Sequence, residues 1–409
     1  MNKELLARMM RATELTRSGR LADATALIQG VLGQTVPAAS TGRSSATTGA
    51  APDDVIEGEC VEVNSRGGRA DTATRAEPAI DAKLGGALKD FLNKWRRGAA
   101  DAHHAGAAPA ARNAPGEFVA ALYANAAGER AYQLYVPSHY AAGQSRPLIV
   151  MLHGCTQGPD DFAAGTQMNA VGEEQRCFVL YPAQSNGANQ SRCWNWFRRE
   201  DQGRDRGEPS IIAGMTREIV QRYGIDARRV YIAGLSAGGA MAAVMAVTHP
   251  ELYAAVGIHS GLACGSAHDL PSALAAMRGM PAGVGRTAAA GATSHATPTI
   301  VFHGDQDKTV HPRNGADVIA QSEHHAGGPG GQVASERGQA AGGHAFTRTV
   351  HRDAGGQVLL EHWLVHGGGH AWFGGSPAGS YTDARGPDAS AEMVRFFLAQ
   401  AEPPRAPTA

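Results

Sequence analysis

The run Val230-Tyr-Ile-Ala-Gly-Leu-Ser-Ala-Gly-Gly239 sets Ser236 between Gly234 and Gly238, each two residues away. A serine hydroxyl in this pattern suits nucleophilic attack on a carbonyl. To attack, it must stand clear on a sharp turn from a strand into a helix. Such a turn crowds the positions two residues to either side, which therefore need to be small. The flanks agree with that geometry, since a β-branched strand precedes Ser236 and an Ala/Met-rich helix follows it. The helix N-terminus also turns backbone N–H groups toward the serine, which suits an oxygen that gains negative charge. A chain with 52 glycines in 409 residues could produce the pattern by chance. The strand and helix flanks argue against that reading.

A hydroxyl nucleophile needs a base, and the base needs an acid to orient it. On such a turn the chain order is serine, then acid, then histidine. Thr299-Ile-Val-Phe-His-Gly-Asp-Gln-Asp-Lys-Thr-Val310 is an apolar strand that runs into a polar loop holding Asp305 and Asp307. Strand C-termini of parallel sheets are where functional groups gather. Asp307 lies further into the loop and is the expected acid, with Asp305 bracing the loop. Leu364-Val-His-Gly-Gly-Gly-His-Ala-Trp-Phe373 then offers two imidazoles. His370 follows three glycines, as suits a loop that must bring a ring over the nucleophile. His366 sits at the strand end, has further to reach, and is the rival.

Met151-Leu-His-Gly-Cys-Thr-Gln157 follows an early strand, where a second oxyanion donor usually arises. Gly154 allows the turn, so the backbone N–H groups of Cys155 and Ala237 are the expected oxyanion hole. His153 is expected to be structural. Aromatic residues make up only 6% of the chain, yet three of the four residues from Trp194 to Phe197 are aromatic, within otherwise polar surroundings. Trp194 or Trp196, together with Trp372, is expected to wall an apolar substrate surface, with the other of the pair in the core.

These residues need a frame. Strand-like runs occur at Phe118–Tyr123 and Ala131–Val136, separated by an Asn125–Gly128 turn, and at Pro147–Leu152 and Cys177–Tyr181. Further runs occur at Val230–Gly234, Ala254–His259, Thr299–His303 and Leu359–Val365. Helical spacing predicts Asp160–Glu174, Pro209–Tyr223, Ala237–Thr248, Arg313–Gln321 and Pro387–Gln400. Alternation of this kind with buried apolar strands predicts an α/β fold, a mostly parallel sheet covered by helices on both faces. Residues 265–297 and 322–345 are Gly/Ala-rich and are expected to be surface insertions. Before this unit, residues 1–33 read as an amphipathic helical hairpin and 34–114 as a low-complexity linker with one short helix near 81–97. Residues 115–400 are the expected catalytic domain, and 401–409 a disordered tail.

Composition excludes several classes. The net charge is −1, so no global field recruits nucleic acid. No apolar run reaches the ~18–20 residues of a transmembrane helix. The five cysteines lack CxxC spacing, so no structural metal is expected. The proposed chemistry also needs no metal and no organic cofactor. The first residues carry charges throughout and show no secretory signal, which favours the cytoplasm.

In order, HGCTQ, CWNWF, GLSAGGAM, FHGDQDKTV and HGGGHAWFGG resemble the poly(3-hydroxybutyrate) depolymerase family of α/β-hydrolase esterases, which is related to feruloyl and acetylxylan esterases. The resemblance spans about Gly116 to Leu398. It implies Ser236 as nucleophile, Asp307 as acid, His370 as base, and oxyanion donors at Cys155 and Ala237. It also implies a disulfide between Cys155 and Cys193, as in secreted members, and such a bond would point to an oxidising, extracellular location instead. The implied substrate is poly(3-hydroxybutyrate) or its oligomers, with feruloyl or acetyl esters of plant polysaccharide second. A different class of reading is an idle scaffold whose residues 1–33 dock on a polyester granule or a protein partner. Fluorophosphonate labelling separates an idle domain from a serine hydrolase.

Overall fold

The computed structural model describes residues 114–280, 297–326 and 331–400. The expected hairpin at 1–33, nearly all of the linker at 34–114 with its helix near 81–97, and the tail at 401–409 lie outside the described residues.

Ten strands form one sheet, in the order β1-β2-β4-β3-β5-β6-β7-β10-β9-β8. They are β1 (Glu117–Asn125), β2 (Gly128–Val136), β3 (Leu148–Leu152), β4 (Phe178–Pro182), β5 (Val230–Leu235), β6 (Ala255–His259), β7 (Thr299–Gly304), β8 (Val333–Gln339), β9 (Ala345–Arg352) and β10 (Val358–Val365). The six central strands, β4-β3-β5-β6-β7-β10, run parallel. Antiparallel strands extend each edge, β2 and β1 on one side, β9 and β8 on the other. A two-stranded ribbon, β11 (Trp372–Phe373) with β12 (Thr382–Asp383), follows β10.

The central strands are apolar on both faces because helices cover both. In β3, Leu148, Val150 and Leu152 enter one core while Ile149 and Met151 enter the other, as a two-residue period requires. The first core is closed by α3 (Gly207–Tyr223), α4 (Ala237–Thr248), α5 (Leu270–Met277) and α6 (Arg313–His325). The second is closed by α1 (Pro159–Thr166), α2 (Met168–Gln175) and α7 (Ala389–Ala399).

Within the described residues every expected strand and helix forms, with shifted ends, but three readings change. The stretch Asp160–Glu174 is two helices, because Gln167 adopts a left-handed conformation (φ 54°) that ends α1 and starts α2. Residues 265–297 are not only a surface insertion, since their described part holds α5, started by a reciprocal cap between Asp269 and Ser272 and packed into the first core through Ala273 and Ala276. Residues 322–345 are not a bare insertion either. They hold the last turn of α6 and all of β8, and β9 begins at their end. β8 escapes detection because its side chains are nearly all exposed and so carry no apolar alternation. Its backbone ladder to β9, Ser335 against Thr349, and the Glu336–Arg348 ion pair hold it instead.

Candidate active site

Ser236 stands between the end of β5 and the start of α4, with φ 57° and ψ −118°. A non-glycine residue in that region is strained, and such strain clusters at functional sites. Its neighbours show why the glycines are needed. A Cβ on Gly238 would lie 2.0 Å from the Leu152 carbonyl oxygen, and one on Gly234 would lie 2.4 Å from the backbone of Gly238. The Ser236 N–H donates to the carbonyl of His259 at the end of β6 (2.9 Å), which fixes the turn to the neighbouring strand.

The loop after β7 supplies Asp307, buried to 4% exposure. One of its oxygens accepts the N–H groups of Thr309 and Val310, both at 2.9 Å. The other meets Nδ1 of His370 at 2.7 Å. Burial alone would raise the pKa of this carboxyl. The adjacent His370, together with hydrogen bonds from His303 and His370, overrides burial and holds it far below the usual carboxylate range. These contacts favour the ionised form of Asp307. Nε2 of His370 is buried and has no hydrogen-bond partner, so it is not bonded to Ser236 Oγ. Catalytic hydrogen bonds are often long or misaligned until substrate binds.

The rival pair is bonded differently. His366 Nδ1 meets Asp305 (2.9 Å), and its Nε2 meets Thr347 Oγ1 (2.9 Å), so both ring nitrogens are taken. Asp305 also caps the Gly367 N–H at 2.8 Å. This pair braces the root of the glycine loop. His153 is likewise structural. Its Nδ1 meets the Gly154 carbonyl (2.8 Å), its Nε2 accepts the Gln184 N–H (3.1 Å), and burial pushes its pKa down to about 4.

Cys155 follows β3, and Ala237 is the first residue of α4, where backbone N–H groups lack partners within the helix. The two residues share with Ser236 a cavity of about 780 Å³. Cys155 and Cys193 form a disulfide, tying the β3 loop to the aromatic segment. Gln157 adds a brace with no counterpart among the expected site residues. Its carbonyl accepts the Gly154 N–H (2.9 Å), and its amide donates to Asp161 (2.9 Å) and to the Ser380 carbonyl (3.1 Å). Its place at the end of HGCTQ is the available signal.

The tryptophans divide. Trp196 lines the cavity with Phe197, Leu262, Leu274, Met277 and Val310. Trp194 is fully buried and packs near the His153 ring, away from the cavity lining. Trp372, expected at the substrate surface, is core as well. It packs edge-on to Phe162 and donates to Ser390 Oγ at 3.1 Å, because its backbone is drawn inward as part of β11. The segment around Trp196 hangs on buried Glu208, which accepts the Asn195 N–H and side-chain amide (both 2.7 Å), accepts from the Gln184 amide, and pairs with Arg130 (3.3 Å). Burial, then the charge of Asp201, raises the pKa of Glu208. Among the described residues, no cluster of His, Cys, Asp and Glu could hold a metal ion.

Residues 130–338 match the family model described as Esterase PHB depolymerase. The chain belongs to that family. Members similar to it include a poly(3-hydroxyalkanoate) depolymerase C of Paucimonas lemoignei, 33% identical over 58% of this chain and 57% of the relative. A feruloyl esterase B of Neurospora crassa is 29% identical over 46% of the chain and 67% of the relative. The chain thus spans little more than half of the depolymerase it matches. Among solved structures, an acetyl xylan esterase from Aspergillus awamori aligns with a TM-score of 0.51 at 20% identity, covering 66% of this chain and 94% of that one. That likeness identifies the fold as an α/β-hydrolase, and in this chain the Ser236 turn after β5, the β7 loop and the β10 loop all lie at one end of the parallel strands.

Proposed function

We propose that this chain is a serine esterase, with residues 115–400 as its catalytic unit and Ser236, His370 and Asp307 as its triad. The observation that carries the reading is the bond from His370 to the buried Asp307 anion, on the loops beside a serine held in a strained turn. Asp307 keeps the proton of His370 on Nδ1, leaving Nε2 as the base. His370 takes the Ser236 proton as Oγ attacks the ester carbonyl. The tetrahedral oxyanion rests on the N–H groups of Cys155 and Ala237. His370 then protonates the departing alcohol, and water repeats the sequence on the acyl-enzyme.

The surface the cavity exposes is mainly apolar, although Arg198, Arg199, Glu200 and Asp269 also line it, and its volume falls within the range of about 300–1,000 Å³ typical of small-molecule sites. Such a site suits the aliphatic repeat of poly(3-hydroxybutyrate) or short-chain polyhydroxyalkanoate, entering as a chain end or an oligomer. The names of the family's depolymerases support that substrate class. Ser236→Ala should abolish hydrolysis of p-nitrophenyl butyrate and labelling by a fluorophosphonate. Full activity in that variant would overturn the assignment. Release of 3-hydroxybutyrate from oligomers, measured beside feruloyl and acetyl esters, ranks the substrates, and a faster feruloyl or acetyl reaction would displace the polyester.

A further inference from the structure

We propose that His259 is a positioning residue, whose neutral imidazole holds the loop that carries His370 in register with Ser236. The inference rests on the triad reading above. His259 ends β6 and has no exposed surface. Its ring Nε2 accepts the backbone N–H of Phe373, three residues beyond His370, at 3.1 Å. An N–H can only donate, so Nε2 must be unprotonated, and the ring's one proton sits on Nδ1. That proton faces Ser260 Oγ at 3.2 Å. The ring is further fixed by stacking on Trp372, centroids 4.9 Å apart, and on Phe302 at 5.7 Å.

The same residue touches the nucleophile turn through its main chain, since its carbonyl accepts the Ser236 N–H. Any residue could supply that carbonyl, but only a side chain with an acceptor at the Nε2 position can hold Phe373. One residue thus spans the serine turn and the histidine loop, and each loop's place is measured from the same strand end. Burial, with His303 and His370 nearby, keeps His259 uncharged. A second positive charge here would oppose the imidazolium that His370 becomes during catalysis.

The test compares His259→Leu, which keeps bulk but loses the acceptor, with His259→Gln, whose side-chain oxygen can replace Nε2. A slight misplacement of a catalytic group can cost about 10²-fold in rate, so kcat of the Leu variant on p-nitrophenyl butyrate should fall ~10- to 100-fold. KM should hold within about twofold, since the cavity wall is untouched, and fluorophosphonate labelling should slow in parallel. The Gln variant should recover most of the loss. Wild-type kcat in folded His259→Leu, a loss confined to KM, or a Gln variant as slow as Leu would each overturn the proposal. If His259→Leu does not fold, His259→Met decides. Its side chain has glutamine's length but no strong acceptor for the Phe373 N–H, so kcat should fall ~10-fold at constant KM, and an unchanged kcat overturns the proposal. Ser236→Ala runs alongside. Activity that survives there overturns the triad and this inference together. Activity lost there but kept in His259→Leu overturns this inference alone.

Discussion

Replacing Asp307 by Asn tests the assignment of acid and base most directly, because Asp305 offers a control two residues away. The new carboxamide would keep one oxygen, and the N–H groups of Thr309 and Val310 both need it. Turning the amide nitrogen toward them would break two hydrogen bonds, so the nitrogen faces His370 Nδ1 instead. Two donors then meet. His370 relieves the clash by moving its proton to Nε2, and the base is lost. The ion pair that steadies the imidazolium is lost as well. A wrong tautomer of this kind costs about 10⁴ in kcat, or about 5.4 kcal/mol at the transition state. Asp305→Asn disturbs a pair whose side chains are 38% and 30% exposed, an interaction worth at most about 1 kcal/mol, so kcat should stay within about tenfold. The assay is kcat on p-nitrophenyl butyrate for both variants, with melting temperatures showing that each is folded. Asp307→Asn within tenfold of wild type, or Asp305→Asn falling as far as Asp307→Asn, would refute the assignment.

Reduction of the Cys155–Cys193 disulfide should expose two further thiols and lower stability by about 4 kcal/mol, from the entropy of opening a loop of 38 residues; a denaturant midpoint unmoved by reductant would contradict this. Trp196→Ala should raise KM because it opens the cavity wall, while Trp372→Ala should cost about 3–5 kcal/mol of stability from the core, and the reverse pattern in kinetics and melting would show the two tryptophans misassigned. Burial pushes His153 and His249 down to about 4, so between their ordinary ~6.5 and that value the unfolded chain takes up protons that the folded one refuses. Their stabilising contribution is present above pH ~6.5 and lost as pH falls toward 4, and Gln in place of His249 should flatten that part of the urea-unfolding pH profile; an unchanged slope would refute the linkage.

What can be read from the sequence follows from how many constraints act on one residue. Ser236 is legible because sterics fix both neighbouring glycines and because strand and helix must meet there. The choice of Asp307 over Asp305, and of His370 over His366, is harder, since both pairs lie at the same two strand ends. Burial separates them. Asp307 is enclosed and takes two backbone N–H groups, whereas Asp305 is partly open and spends one oxygen on Gly367. Neither fact has a trace in residue type. The same limit explains Trp372. It lies two residues from His370, and only the ribbon pairing that turns it inward distinguishes it from Trp196.

The elements missed are those held by backbone rather than by side chains. β8 reads Val-Ala-Ser-Glu-Arg-Gly-Gln, lies in solvent on both faces, and exists because β9 offers it a ladder. Its strand character belongs to the neighbour, so no window of its own residues could show it. The break at Gln167 is of the same kind, as the left-handed residue there is neither Gly nor Asn. The site's support is partly nonlocal too. Glu208 lies 13 residues from Asn195 and 78 from Arg130, and only the folded sheet brings the three together beneath the aromatic wall. An isolated buried carboxylate is costly, so the network must form as a unit with that wall. Local pattern therefore reveals the groups that would do the chemistry, while their precision comes from long-range polar contacts such as those of Glu208, Gln157 and His259.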